Sequence, residues 1–249
     1  MKNIRILKRL NKSYKIRSKI KNNMTEILSE LLGFAINISI LVGFGLSLYV
    51  VKRIGKGILN IAVIPFSLGI FLVGLSNIFI TLNNSGFYQL SETTLHVWWH
   101  MIASIGLLSI VYGGWRIKTI SSTNDVDGFG EKNILTLGVM VVAVALIFII
   151  AQPIEQFFSA ALAGSVVESF GLHHLLTFSL SFIAGFYFVI TRKQAGNFIV
   201  SIPFIAGFLF FLGGQHVWEM LTESLKLIKV DGETIELVEQ FLVLPAMVL

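Results

Sequence analysis

Histidines are the residues of this chain best suited to chemistry, because a neutral imidazole binds transition metals and exchanges protons near neutral pH. His96 and His100 are four residues apart, so on a helix both rings leave the same face, one turn from each other. His173 and His174 are adjacent and would point about 100° apart on a helix. Only one of these two is therefore expected to join any given site.

Carboxylates stand close to the remaining histidine and to a second polar position. His216 precedes Glu219 by three residues, and Gln152 precedes Glu155 by the same interval, so each pair shares a helix face. Imidazole with carboxylate suits Zn, Cu or Fe, and helices of a bundle can bring such pairs inward to share one ion. The predicted metal ligands are His96, His100, His173, His174, His216, Glu219 and Glu155.

The elements that must position these residues are predicted to be membrane helices. Of the 249 residues, 55% are hydrophobic and 13% charged, with a mean hydropathy of +0.80. Soluble chains carry about 25% charged residues. The sequence therefore predicts an all-α, polytopic membrane helical bundle that contacts the lipid bilayer, in the cell membrane. The net charge of +5 arises mainly at the N-terminus, so a nucleic-acid partner is not expected.

Seven apolar segments can be read along the chain, and six of them reach roughly the 20 residues that a spanning helix needs. The seventh has 15 residues, contains two glutamates, and is interpreted as a short span or an interfacial helix. The prediction is accordingly six to seven transmembrane helices. The segments cover residues 27–51, 58–82, 95–117, 134–158, 172–190, 198–220 and 235–249.

The chain is divided into a tail and one membrane domain. Residues 1–23 hold nine of the 19 Lys and Arg residues and are predicted to be a disordered or membrane-surface tail. Residues 24–249 form a single transmembrane helical domain. Whether the tail belongs to the mature protein is left open.

Basic connections predict the orientation of the bundle. Lys56, Lys118 and Lys193 mark three basic connections, whereas residues 83–94 and 159–171 contain no Lys or Arg. Because positive loops stay inside, all five histidines are expected at the outer ends of their helices. The basic tail contradicts this orientation, but three connections agree on it.

A weak internal repeat accompanies this pattern. The interval from His96 to Arg116 nearly equals that from His173 to Arg192, and an acidic residue precedes each histidine. This predicts a duplicated helical hairpin, an arrangement common in transporters.

Several functions remain open on the sequence. The first is a transition-metal-binding sensor or transporter with an outer His/Glu cluster that holds an ion or a small ligand. The second is a membrane-embedded metalloenzyme or a b-haem protein. The third is a structural subunit of a membrane complex, whose histidines are interfacial residues facing lipid. The chain has no cysteine and none of the HExxH, phosphate-loop or GxGxxG motifs, so whether it is an enzyme also stays open.

Overall fold

The computed structural model describes residues 58–123, 131–194 and 202–248, together with scattered helical positions between Leu31 and Lys52. The predicted tail and most of the first apolar segment lie outside the described residues. The described part is helical and contains no strand. Its α-helices are α1 (Ile58–Asn84), α2 (Glu92–Thr123), α3 (Glu131–Ile150), α4 (Glu155–Leu162), α5 (Val166–Phe170), α6 (Leu172–Thr191), α7 (Ile202–Glu219) and α8 (Gly232–Val248).

Four of the described helices are long and apolar enough to cross a membrane: Ile64–Asn84, Glu92–Arg116, Leu172–Thr191 and Ile202–Ser224. A fifth span is obtained if α3 and α4 are counted together. The last apolar segment forms α8, a helix of 17 residues that is not among these candidate spans. The prediction of six to seven spans is thus supported only as four to five, and the hairpin repeat is not confirmed.

The fourth apolar segment, predicted as one span over residues 134–158, is broken. The chain turns at residues 151–154, and α4 leaves α3 at an angle of 100°. Pro153 explains the break, because a proline has no amide hydrogen to donate and its ring clashes with the carbonyl of the preceding turn.

Helix α2 is the centre of the bundle, since it packs against α1, α3 and α6, while α7 packs between α6 and α8. Helices α1 and α2 run antiparallel: Ser109 donates a hydrogen bond to the Pro65 carbonyl at 2.8 Å, and Gly69 packs against Gly106 farther along. Helices α2 and α6 run parallel, with Ser104 bonded to Thr177 at 3.1 Å. The start of α2 therefore lies beside the start of α6.

The side chains of α6 are arranged as expected for a helix in lipid. Its buried face carries His174, Thr177 and Ser181, whereas Leu176, Phe186 and other large apolar residues are exposed. Polar residues within spanning helices generally face the bundle interior. The exposed apolar face of α6 is therefore assigned to lipid, and its polar face to the interior shared with α2 and α7.

Candidate metal centre

Three helices bring histidines together at one end of the bundle. His100 lies two turns into α2, His174 lies in the first turn of α6, and His216 lies in the last turn of α7. Because α7 runs antiparallel to α6, the end of α7 meets the starts of the other two. All three side chains are about 1% exposed. The imidazole rings touch, with centroids 4.3 Å apart for His100 and His174 and 4.8 Å apart for His100 and His216.

Glu219 supplies the carboxylate of this group. Its Oε2 is hydrogen-bonded to His216 Nδ1 at 2.8 Å and to His174 Nδ1 at 3.1 Å, and it lies 3.8 Å from His100 Nε2. Its Oε1 accepts a hydrogen bond from Gln215 Nε2 at 2.7 Å. Glu219 is itself only 3% exposed. One ligand atom from each of the four residues lies within 4.8 Å of the others, so these buried residues could hold a metal ion. They are called the inner group below.

The hydrogen bonds of Thr177 favour one tautomer of His100. The Thr177 hydroxyl donates its one hydrogen to the His173 carbonyl at 2.9 Å. Its oxygen therefore acts as an acceptor toward His100 Nδ1, 3.3 Å away. A neutral His100 then has its hydrogen on Nδ1 and a bare lone pair on Nε2. That Nε2 is buried and has no hydrogen-bond partner among the described residues.

The remaining predicted ligands lie outside the inner group. His173 contacts the His100 ring at a centroid distance of 4.8 Å but is only partly buried. His96 is 31% exposed and faces Glu223, which matches the expectation that it lies farther out than His100. Glu155 accepts a hydrogen bond from the Ser91 amide at 3.0 Å.

Glu155 and its neighbour Gln152 have a structural explanation. Gln152 accepts a hydrogen bond from the Gln89 amide at 2.7 Å, just before the Ser91 amide that Glu155 binds. The two side chains at the bend between α3 and α4 therefore hold the segment that leads into α2. Their shared helical spacing does not turn them toward the histidines.

Comparison of this chain with protein-family models, curated protein sequences and solved structures gives no match.

The interfacial interpretation does not describe the inner group, because its rings are buried and in mutual contact rather than facing lipid. Trp99 packs on His100 with ring centroids 4.5 Å apart, and Trp98 stacks on Phe158 at 4.5 Å. Both tryptophans are buried. Their side chains pack inside the bundle at the start of α2 and do not form an aromatic belt at its surface.

Two residues of the site were missed on the sequence although helical spacing could have indicated them. Thr177 is four residues after His173 and three after His174, so it shares their side of α6. Gln215 is four residues before Glu219 and donates to it. Hydrogen-bond partners of ligating side chains fix their orientation in metal sites, and Thr177 and Gln215 are placed to do this for His100 and Glu219.

Proposed function

We propose that this protein binds one divalent transition-metal ion of the Zn²⁺ type with the inner group, at the outer face of the cell membrane. The observation that carries the proposal is the approach of His100 to Glu219. The buried Nε2 of His100, which has no hydrogen-bond partner among the described residues, faces a buried carboxylate oxygen 3.8 Å away, and the Thr177 contact favours the tautomer in which this nitrogen carries a lone pair. Two electron-rich atoms in that position repel each other unless a cation lies between them.

The spacing of the inner group supports one small ion. Zinc bonds nitrogen and oxygen at about 2.0–2.2 Å, so two ligand atoms of a tetrahedral site lie about 3.3 Å apart. The three nitrogen–oxygen distances at Glu219 Oε2 are 2.8, 3.1 and 3.8 Å, on both sides of that value. Three imidazoles and one carboxylate also form a donor set that zinc and neighbouring metals favour.

The same spacing argues against a b-type haem. A haem with two histidine ligands needs a flat gap between the rings for its porphyrin. Glu219 Oε2 lies within 3.1 Å of both His174 and His216, in the space that the macrocycle would occupy. His100 also touches His174, with ring centroids 4.3 Å apart.

Access from one end supports metal sensing rather than passage of the ion through the bundle. His174 also lines a pocket at the histidine end. Toward the opposite end, where Arg116 and Arg192 lie, the interior is filled by buried apolar side chains including Leu107, Phe188 and Leu209. Among the described residues, the buried polar side chains toward this end are serines and threonines, and no buried charged side chain is there to carry an ion through the core. The ion is therefore bound from one side only, and the positive-inside pattern assigns that side to the exterior.

A metal-dependent enzyme is the second candidate, and the pocket favours it. The cavity measures about 520 Å³, within the range of small-molecule sites, and it reaches the inner group at His174. A metal held there could activate a water molecule for attack on a substrate in the pocket. Turnover of a hydrolysable substrate that requires the metal would select this candidate over sensing.

Elemental analysis of the purified protein tests the proposal. We expect one tightly held zinc or related ion per chain after dialysis, and no haem absorption. Replacement of that ion by Co²⁺ should give the intense visible bands of a tetrahedral site with nitrogen and oxygen ligands. A chain that takes up no divalent ion, or a cobalt spectrum typical of six oxygen ligands, would refute the inner group as a metal site.

The role of Thr177 leads to a separate prediction. Thr177→Val keeps the side-chain shape but removes the oxygen that accepts the His100 Nδ1 hydrogen. Loss of such an orienting partner typically lowers metal affinity by about 10- to 100-fold. Thr177→Ser retains the hydroxyl and should bind almost as tightly as the wild type. Metal affinity is measured by competition with a chromogenic chelator. Equal affinities for the valine and serine variants would show that the Thr177 hydroxyl does not orient His100 for metal binding.

A further inference from the structure

A pocket continues the inner group toward the surface of the bundle. It is lined by residues from the start of α2, the start of α6 and the segment after α7. These residues are Glu92, Thr93, His96, His173, His174, Glu223, Ser224 and Lys226. His174 belongs to both the pocket and the inner group. An ion that reaches the inner group by this route therefore passes through the pocket.

The pocket repeats the chemistry of the inner group one helical turn farther out. On α2, His96 precedes His100 by four residues, and beyond α7, Glu223 follows Glu219 by four. In the inner group His100 Nε2 lies 3.8 Å from Glu219 Oε2, and in the pocket His96 Nδ1 lies 4.0 Å from Glu223 Oε2. Both pairs therefore connect α2 to the end of α7 and the turn after it, and the pair in the pocket lies one turn farther out.

The adjacent histidines of α6, His173 and His174, differ in their relation to the inner group. Both line the pocket, but only His174 is also a member of the inner group. His173 Nδ1 is buried and has no hydrogen-bond partner among the described residues, which leaves a donor atom available to a ligand. A buried ring nitrogen without a partner, beside a histidine–carboxylate pair, is a feature that a bound ion would explain.

Local backbone geometry supports this arrangement. The chain after Glu219 widens into a π-helical turn over Met220–Ser224, a feature often found at functional sites. Gly171, the residue just before α6, has a positive φ of 59°, and a Cβ there would collide with Ser224. Glycine at this position therefore lets the start of α6 approach the turn that carries Glu223.

We propose that the His96–Glu223 pair, together with His173 from the same pocket, forms a second, outer site for a divalent transition-metal ion, which supplies the inner group; unlike the inner ligands, these three are not preassembled around one point, and the ion would draw His173 toward the pair. This inference rests on the proposed function of the inner group. Glu92 and Glu223 outnumber Lys226 in the pocket, so its charge attracts cations. The outer site lacks a counterpart of His216, and His96 and Glu223 are 31% and 35% exposed. It should therefore bind on the order of 100-fold more weakly than the inner group.

Calorimetric titration of the full chain in lipid nanodiscs with Zn²⁺ tests the outer site. We expect two ions per wild-type chain, one tight and one weaker. The double variant His96→Ala with Glu223→Gln should bind one ion only, with the tight affinity unchanged. Glu155→Gln is the matched control, because this glutamate is also only partly buried but is absent from the lining of the pocket, and it should retain both ions.

The outcomes separate this inference from the proposed function. One tight ion in the wild type that persists in the double variant and is lost in Glu219→Gln would overturn the outer site and leave the inner one standing. Two ions in the double variant would also overturn the outer site. A wild-type chain that binds no ion would overturn both. An unchanged thermal transition of the metal-free double variant shows that any loss of binding is not a folding defect.

Discussion

Replacing Glu219 by glutamine is expected to lower the affinity of the protein for Zn²⁺ by at least roughly 100-fold, more than the loss of a single orienting partner. The carboxylate oxygen Oε2 faces all three inner imidazoles, at 2.8, 3.1 and 3.8 Å. The variant loses the negative charge that balances the ion. Its amide group also donates hydrogens toward imidazole nitrogens that the metal would otherwise use. Competition with a chelator of known affinity measures the effect in detergent or nanodiscs.

Glu155→Gln provides the control for this experiment as well. Glu155 was predicted to be a ligand, but its Oε1 accepts a hydrogen bond from the Ser91 amide, which a glutamine oxygen can also do. The variant should bind zinc like the wild type. Equal weakening by Glu155→Gln and Glu219→Gln would mean that the inner group is not the metal site, since only Glu219 contacts its histidines.

The Glu219 variant should also reveal the contribution of the ion to stability. A ligand that binds only the folded protein at 100 times its dissociation constant stabilises it by about 2.7 kcal/mol. Added zinc should therefore raise the unfolding temperature of the wild type by several degrees and leave that of Glu219→Gln almost unchanged. A similar rise in both proteins would indicate that zinc binds elsewhere on the chain.

Much of the inner group could be predicted from spacing on single helices. The pairing of His216 with Glu219 follows from an interval of three residues, and the greater depth of His100 relative to His96 follows from an interval of four. Which helices meet cannot be read from these intervals. Only the packing of α6 between α2 and α7 brings His174 against both partners, and the same packing leaves His173 in the pocket.

The misplacement of Glu155 has a local cause. The sequence was interpreted as one straight helix through residues 134–158, with Glu155 at its outer end beside the histidines. Pro153 instead breaks the helix, and the 100° bend turns Glu155 toward the segment before α2. A proline inside an apolar segment signals a kink, but neighbouring helices determine its angle and direction. The sequence of this segment alone does not show which helices will pack against it.

The hydropathy pattern predicted correctly that the chain contains helices apolar enough to span a membrane, but the described residues contain fewer of them than the six to seven it predicted. Helices α1, α2, α6 and α7 follow four of the predicted segments closely, because length and apolar composition alone determine whether a helix can span. The first segment lies largely outside the described residues. The last forms a 17-residue helix after the π-helical turn, and its glutamates leave too short an apolar run to identify it as a span.

The contact between α1 and α2 is where a single methyl group is expected to cost the most stability. A Cβ at Gly106 would lie 2.7 Å from the Gly69 carbonyl oxygen and 2.8 Å from the Val73 amide nitrogen. Both atoms belong to the backbone of α1, so no side-chain rotation can relieve the clash. Small residues commonly permit such close approach between membrane helices.

Gly106→Ala should therefore force α1 and α2 apart and destabilise the protein by about 2–3 kcal/mol, the upper part of the range for overpacked cores. Thermal unfolding in detergent measures this. Gly138→Ala is the matched control: a Cβ there meets nothing within 4 Å, and alanine favours a helix more than glycine does. It should unfold at or slightly above the wild-type temperature.

Metal binding separates this structural effect from an effect on the site. The inner ligands lie on α2, α6 and α7, and none lies on α1. At a temperature where Gly106→Ala remains folded, it should still take up the tightly bound ion. If Gly106→Ala unfolds at the same temperature as Gly138→Ala, α1 and α2 do not pack through Gly69 and Gly106. If it unfolds early and also fails to bind zinc while folded, α1 positions His100 and the inner group depends on the whole bundle.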